Sequence, residues 1–158
     1  MVELKTEILI ENVSPEQVTD FMIDCTDEKY SKWWPGVHLA FHTIKKKPGD
    51  IGNIVYFDEY VGKRRLKFRA VVKEYERGRI IRWRMINIIP LPANLTIETE
   101  RENEGTKLVH ILAIGFKGLF SFLNPVIKLF IPSQLEKDLN EHAEIEFTAL
   151  SGLLAQKD

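Results

Sequence analysis

Residues 124–154 read NPVIKLFIPSQLEKDLNEHAEIEFTALSGLL, and the fold turns on them. Asn124-Pro125 has the form of a helix start, a capping side chain followed by a proline whose missing N–H costs nothing in a first turn. Pro132 interrupts the pattern, and Ser133 with Glu136 three residues on has the form of a capping box. The stretch therefore predicts one long C-terminal helix, or two helical pieces joined at Pro132. From Leu135 the apolar residues Leu139, Ala143, Phe147, Leu150, Leu153 and Leu154 recur at helical spacing. At about 1.5 Å per residue, Gln134 to Leu154 spans roughly 30 Å, the width of a small domain. A helix of that length in a short chain has to cross something.

The chain has 158 residues, 44% of them hydrophobic and 28% charged, with a formal net charge of -1. One domain with a real core is expected, and no linker, repeat or low-complexity segment divides it. The near-zero charge argues against nucleic-acid binding, and the runs Lys45-Lys46-Lys47 and Lys63-Arg64-Arg65 read as solvated strand ends. Cys25 stands alone, which excludes an internal disulfide and suits a reducing compartment. Met1 to Lys5 opens straight into an alternating pattern without the regions of a signal peptide, so a cytoplasmic protein is expected.

Val2 to Ile10 alternates as a half-buried strand. Ser14-Pro15-Glu16-Gln17 opens a short helix, and Asp27 to Trp34 predicts a second, ended by Pro35-Gly36. The period then changes to two. Val37–Lys46, Asn53–Val61, Arg65–Tyr75, Arg79–Ile88, Leu95–Arg101 and Lys107–Phe116 read as strands separated by turn signals, which implies an antiparallel meander. One strand, two short helices, a meander and one long helix predict an α+β domain. A strongly twisted sheet wrapped around a single helix cannot close tightly at both ends, so a cavity between them is expected.

Several stretches resemble the START-like, or SRPBCC, superfamily. Lys29-Tyr30-Ser31-Lys32-Trp33-Trp34-Pro35-Gly36 looks like that family's segment after the short helices. Pro48-Gly49-Asp50-Ile51-Gly52-Asn53 looks like its glycine turn. Residues 71–83 resemble its paired central strands, and Gly105-Thr106-Lys107-Leu108 the start of its last strand. The resemblance covers nearly the whole chain and is nearest to the polyketide cyclase/dehydrase and lipid-transport branch. It implies a helix-grip fold: a strongly curved antiparallel sheet of six to seven strands around a long C-terminal helix, with two short helices after the first strand. It further implies a hydrophobic small-molecule ligand such as a lipid or polyketide. It carries over no catalytic residue and no cofactor.

A cavity of this kind would draw its wall from Phe41, Tyr56, Phe68, Trp83, Met85, Ile97, His110 and Leu112 on the strands. From the helices and their flanks it would take Trp33, Trp34, Phe120, Phe130, Leu135, Leu139, His142 and Glu146. Set on a helical wheel from Leu135, His142 and Glu146 fall inside the apolar arc, and at i,i+4 they can touch. A carboxylate there needs a partner or stays neutral. The pair reads as a polar anchor in a greasy pocket, as a structural ion pair, or as a glutamate that snorkels to the rim. His110 alternates with Leu108 and Leu112, and Tyr56 shares a face with Asp58. No metal is expected: His38 and His42 lie roughly 13 Å apart on one strand, too far to share an ion.

Gly118 to Ile131 crowds Leu119, Phe120, Phe122, Leu123, Val126, Ile127, Leu129, Phe130 and Ile131 around one lysine. It reads as a gate over the cavity mouth, a transient membrane contact, a homodimer contact or plain core. Three functions remain open. The first is a carrier or sensor of a hydrophobic molecule. The second is a cyclase- or dehydratase-type enzyme using His110, His142 and Glu146 for proton transfer. The third is a protein-interaction module related to Hsp90-ATPase activators.

Overall fold

The computed structural model describes residues 1–86, 92–116, 118–125 and 133–155. Strand β1 (Val2–Ile10) leads into helices α1 (Pro15–Ile23) and α2 (Asp27–Trp33). Ser14 and Gln17 cap α1 reciprocally: Ser14 Oγ accepts the Gln17 N–H at 3.1 Å, and Gln17 Oε1 accepts the Ser14 N–H at 2.8 Å. Thr26 caps α2 by accepting the Lys29 N–H at 3.3 Å. Both caps satisfy donors that a short helix would otherwise leave unpaired.

Six strands follow: β2 (His38–Lys45), β3 (Ile54–Val61), β4 (Arg64–Glu76), β5 (Ile80–Ile86), β6 (Ala93–Glu102) and β7 (Gly105–Ile114). Together with β1 they form one antiparallel sheet in the order β1-β7-β6-β5-β4-β3-β2. β1 pairs with β7 along its length, from Val2 opposite Ile114 to Ile10 opposite Thr106. The meander is local, and the chain's first strand joins its last to extend the sheet.

Helix α3 (Ser133–Leu154) packs along β1 and against α2 and β3. Ala143, Phe147, Leu150 and Leu154 are buried in the core, while Leu139 and Leu153 are half-buried. Polar ties fix its position, among them Thr6 Oγ1 to Asn140 Oδ1 at 3.1 Å. The side chain of Leu135 lies outside the described residues. Facing α3, the sheet contributes the rings of Phe41, Phe57 and Phe68, which stack across β2, β3 and β4 with centroids 4.1 and 4.8 Å apart. Tyr30 of α2 meets Phe41 and Phe57 edge-on, and Trp33 packs edge-on against Tyr30.

After β7 the chain makes a short 3₁₀ turn (Gly118–Leu123). The Asn124 side chain fastens the end of this turn. It accepts the Phe116 N–H at 2.8 Å and donates to the Phe116 carbonyl at 2.9 Å, clamping the turn back onto the end of β7. This clamp needs Gly115, whose φ is +123° and whose position would put a Cβ 2.4 Å from Asn124 Oδ1. Leu119 and Phe122 are exposed, at 85% and 68%. The expected helical continuation through residues 126–132, with Phe130, lies outside the described residues, as does the side chain of Phe120. No described helix is long and apolar enough to cross a membrane.

Candidate functional site

Between the concave face of the sheet and α3 lies a cavity of about 330 Å³. Its wall is mainly apolar: Phe41, Phe57, Leu66, Phe68, Trp83, Met85, Leu95, Ile97, Leu112 and Ile114 from the strands, with Met22, Trp33, Leu139 and Phe147 from the helices. Alternation places these strand residues on one face, and the pairings Phe41 with Phe57, Phe57 with Phe68, and Leu95 with Leu112 align them across the sheet. Arg64 is exposed and also borders the cavity, so it marks a rim open to solvent.

One region of the wall is polar. Glu59, His110, His142 and Glu146 face the cavity together with Tyr30, whose hydroxyl donates to the Glu59 carboxylate. His38 lies behind them, fully buried. The His38 ring stacks on Tyr30 at 3.9 Å with planes 5° apart, and the His142 ring packs on Trp34 at 4.8 Å. Glu146 reaches both: its Oε1 is 3.5 Å from His38 Nε2 and its Oε2 is 3.7 Å from His142 Nε2. Glu59 Oε2 is 3.9 Å from His142 Nε2. Trp33 Nε1 donates to the Glu146 backbone carbonyl at 2.6 Å, fixing this turn of α3 against α2.

Burial sets the charge state of the cluster. It pushes the Glu59 carboxyl up to about 7, against the lowering effect of the Tyr30 hydroxyl. It raises Glu146 well above the usual carboxylate range, and the Glu59 charge adds to the effect. The imidazoles move the other way, His38 to about 3 and His142 and His110 to about 4, again mainly by burial. At neutral pH the three rings are uncharged, and Glu146 keeps its proton. His38, His110, His142 and Glu146 are thus neutral polar groups at one end of an apolar chamber, while Glu59, pushed up to about 7, is close to half-ionised beside them.

Two expected wall residues lie elsewhere. Tyr56 is on the outer face of β3, beside His42 with ring centroids 5.5 Å apart. The phase of the strand decides this: Phe57, Glu59 and Val61 face inward, so Tyr56 and Asp58 must face out. Trp34 does not line the cavity but backs it, packing on His38 and His142 from the C-cap of α2. Trp33, Phe41, Phe68, Trp83, Met85, Ile97, His110, Leu112, Leu139, His142 and Glu146 all line it.

Sequence reasoning missed Tyr30, His38 and Glu59. Glu59 carried a usable signal, since it alternates with Phe57 and Val61. His38 is hidden by an irregularity in β2, where the register shifts between His38 and Ala40 and breaks the alternation.

An antiparallel seven-stranded sheet gripping a C-terminal helix, with two short helices after the first strand, defines the helix-grip class. Within it, the chain belongs to the polyketide cyclase/dehydrase and lipid transport family, whose family model matches residues 1–144. Solved structures agree on the fold. A START superfamily protein from Mycobacterium smegmatis superposes with a TM-score of 0.71 at 14% identity, covering 99% of each chain. The ginseng major latex-like protein 151 from Panax ginseng gives 0.61 at 8% identity, over 89% of this chain and 96% of that one. The Aha1 dimer from Colwellia psychrerythraea gives 0.52 at 16% identity, over 92% and 98%. No curated protein matches the chain in sequence.

Proposed function

We propose that this protein encloses a hydrophobic small molecule, a lipid, polyketide or similar compound, as a carrier or sensor. The observation that carries the reading is the cavity itself: about 330 Å³, walled by stacked aromatic and aliphatic side chains, with polar groups gathered in one region. Such a chamber favours a ligand with an apolar body and a single hydroxyl or carbonyl group, which Tyr30, Glu59 and His142 would orient. Membership of a family described by lipid transport as well as by cyclase and dehydrase activity supports the same class of ligand.

The buried His and Glu side chains keep a second reading in view, in which His142 and Glu146 move a proton on the bound molecule. An interaction module is less well supported, because it calls for a filled interior. Native mass spectrometry of the protein purified from its host tests the proposal. The expected result is a non-covalent adduct of a few hundred daltons that is lost on denaturation. A bare chain, together with failure to take up hydrophobic molecules added in excess, would overturn it.

A further inference from the structure

We propose that His38, His142 and Glu146 form a binding site for one first-row divalent transition-metal ion, with Glu59 as a further donor. One ligand atom from each of the first three can be chosen so that all lie within 4.8 Å of one another. The shortest separations are 3.5 Å from His38 Nε2 to Glu146 and 3.7 Å from His142 Nε2 to Glu146. Those distances are long for hydrogen bonds. They match the spacing between donors around a shared ion, since metal–nitrogen and metal–oxygen bonds of about 2.0–2.2 Å put tetrahedral neighbours roughly 3.4 Å apart.

The second observation is the state of the nitrogens. His38 Nε2 and His142 Nε2 are buried and have no hydrogen-bond partner among the described residues. His38 is 0% exposed, and His142 and Glu146 are 8% each. A buried imidazole nitrogen without a partner is costly, and a cation between the two rings would satisfy both at once. Two imidazoles with carboxylate oxygens suit zinc, iron, cobalt or nickel better than magnesium or calcium, which favour oxygen-only shells.

The surroundings hold the donors in place. Tyr30 stacks on His38 and hydrogen-bonds Glu59, Trp34 packs on His142, and Trp33 anchors the Glu146 backbone. Aromatic and hydrogen-bonded support of this kind orients ligands before a metal arrives. Glu59, His142 and Glu146 line the cavity while His38 backs it, so an ion held by them would be accessible to the enclosed molecule.

The test is a cobalt(II) titration of the full chain after chelator treatment, read by visible ligand-field absorption and by equilibrium dialysis. The expected result is one equivalent per chain. His142→Gln and Glu146→Gln should each weaken binding at least about tenfold, the lower end of what supporting residues of a metal site contribute. His42→Ala removes the exposed His42–Asp27 pair and should leave the stoichiometry unchanged. Circular dichroism checks that the variants fold, and Glu146→Gln keeps the shape of the native side chain should His142→Gln fail. Cobalt binding equal in the wild type and Glu146→Gln, or lost with His42→Ala, would overturn the site. Uptake of N-phenyl-1-naphthylamine by the same metal-free samples reads the ligand cavity separately, so loss of one function is distinguishable from loss of the other.

Discussion

Asp58 and Glu59 are neighbours in β3 with opposite electrostatics. Asp58 points outward, where Arg65 grips it with two hydrogen bonds of 2.8 and 2.9 Å and Lys67 stands 3.8 Å away. The Arg65 guanidinium holds its carboxyl below the ordinary value of 3.8. Glu59 points inward, and burial pushes its carboxyl up to about 7. One step along a strand changes the face, and the face decides the charge. A depressed carboxylate stabilises the fold above its unfolded value and loses that contribution as pH falls through its folded value. Asp58→Asn should therefore cost about 1 kcal/mol at pH 7, a typical worth for a partly exposed charge-assisted pair. Urea unfolding at pH 7 and near pH 3 makes the comparison, and the difference from wild type should shrink at the lower pH. An equal cost at both would mean that the amide perturbs packing, not charge.

At the scale of the element, α3 was the most legible part of the chain and its entry the least. Helical spacing alone puts Leu135, Leu139, Ala143, Leu150 and Leu154 on the sheet side with His142 and Glu146 in the same arc; Ala143, Leu150 and Leu154 are buried, Leu139 is half-buried and the side chain of Leu135 lies outside the described residues. A side chain's direction on a regular helix is fixed by geometry and needs no knowledge of the partner. Leu150 is fully buried, so Leu150→Ala should destabilise by about 2–5 kcal/mol. Leu139 is only half-buried and borders the cavity, so Leu139→Ala should cost less, under about 2 kcal/mol, because much of its lost contact is with an open space. Thermal or denaturant melts of the two variants give the order directly, and an inverted order would mean that the helix is rotated from its described setting. The strands were read with similar success, but phase was harder than existence. Tyr56 is among the expected wall residues and Asp58 shares its face, but Val55, Phe57 and Val61 carry the inward phase. The Asn124 clamp on Phe116 depends on the positive φ of Gly115 between β7 and the 3₁₀ turn, a contact that helical spacing does not encode.

For the whole molecule, the order of elements carried the most information. A lone strand, two short helices, a meander and a long helix leave few ways to cover one apolar sheet face, and the pairing of β1 with β7 follows from extending the meander at its free edge. The polar region was legible on α3, in His142 and Glu146, and on β7, in His110. Tyr30, His38 and Glu59 come from α2, β2 and β3, and their meeting depends on the curvature of the sheet. The central claim about the molecule is that the space between sheet and helix is a ligand chamber. N-phenyl-1-naphthylamine, whose emission rises on entering an apolar site, tests this in three forms of the chain. Saturable enhancement is expected in the wild type and in Leu119→Ser/Phe122→Ser, which removes the two most exposed apolar side chains described in the 3₁₀ turn. Loss of enhancement is expected in the folded variant Ala93→Phe/Leu95→Trp, whose new rings project into the cavity from β6. Binding that survives filling of the cavity and disappears with the surface pair would contradict that claim.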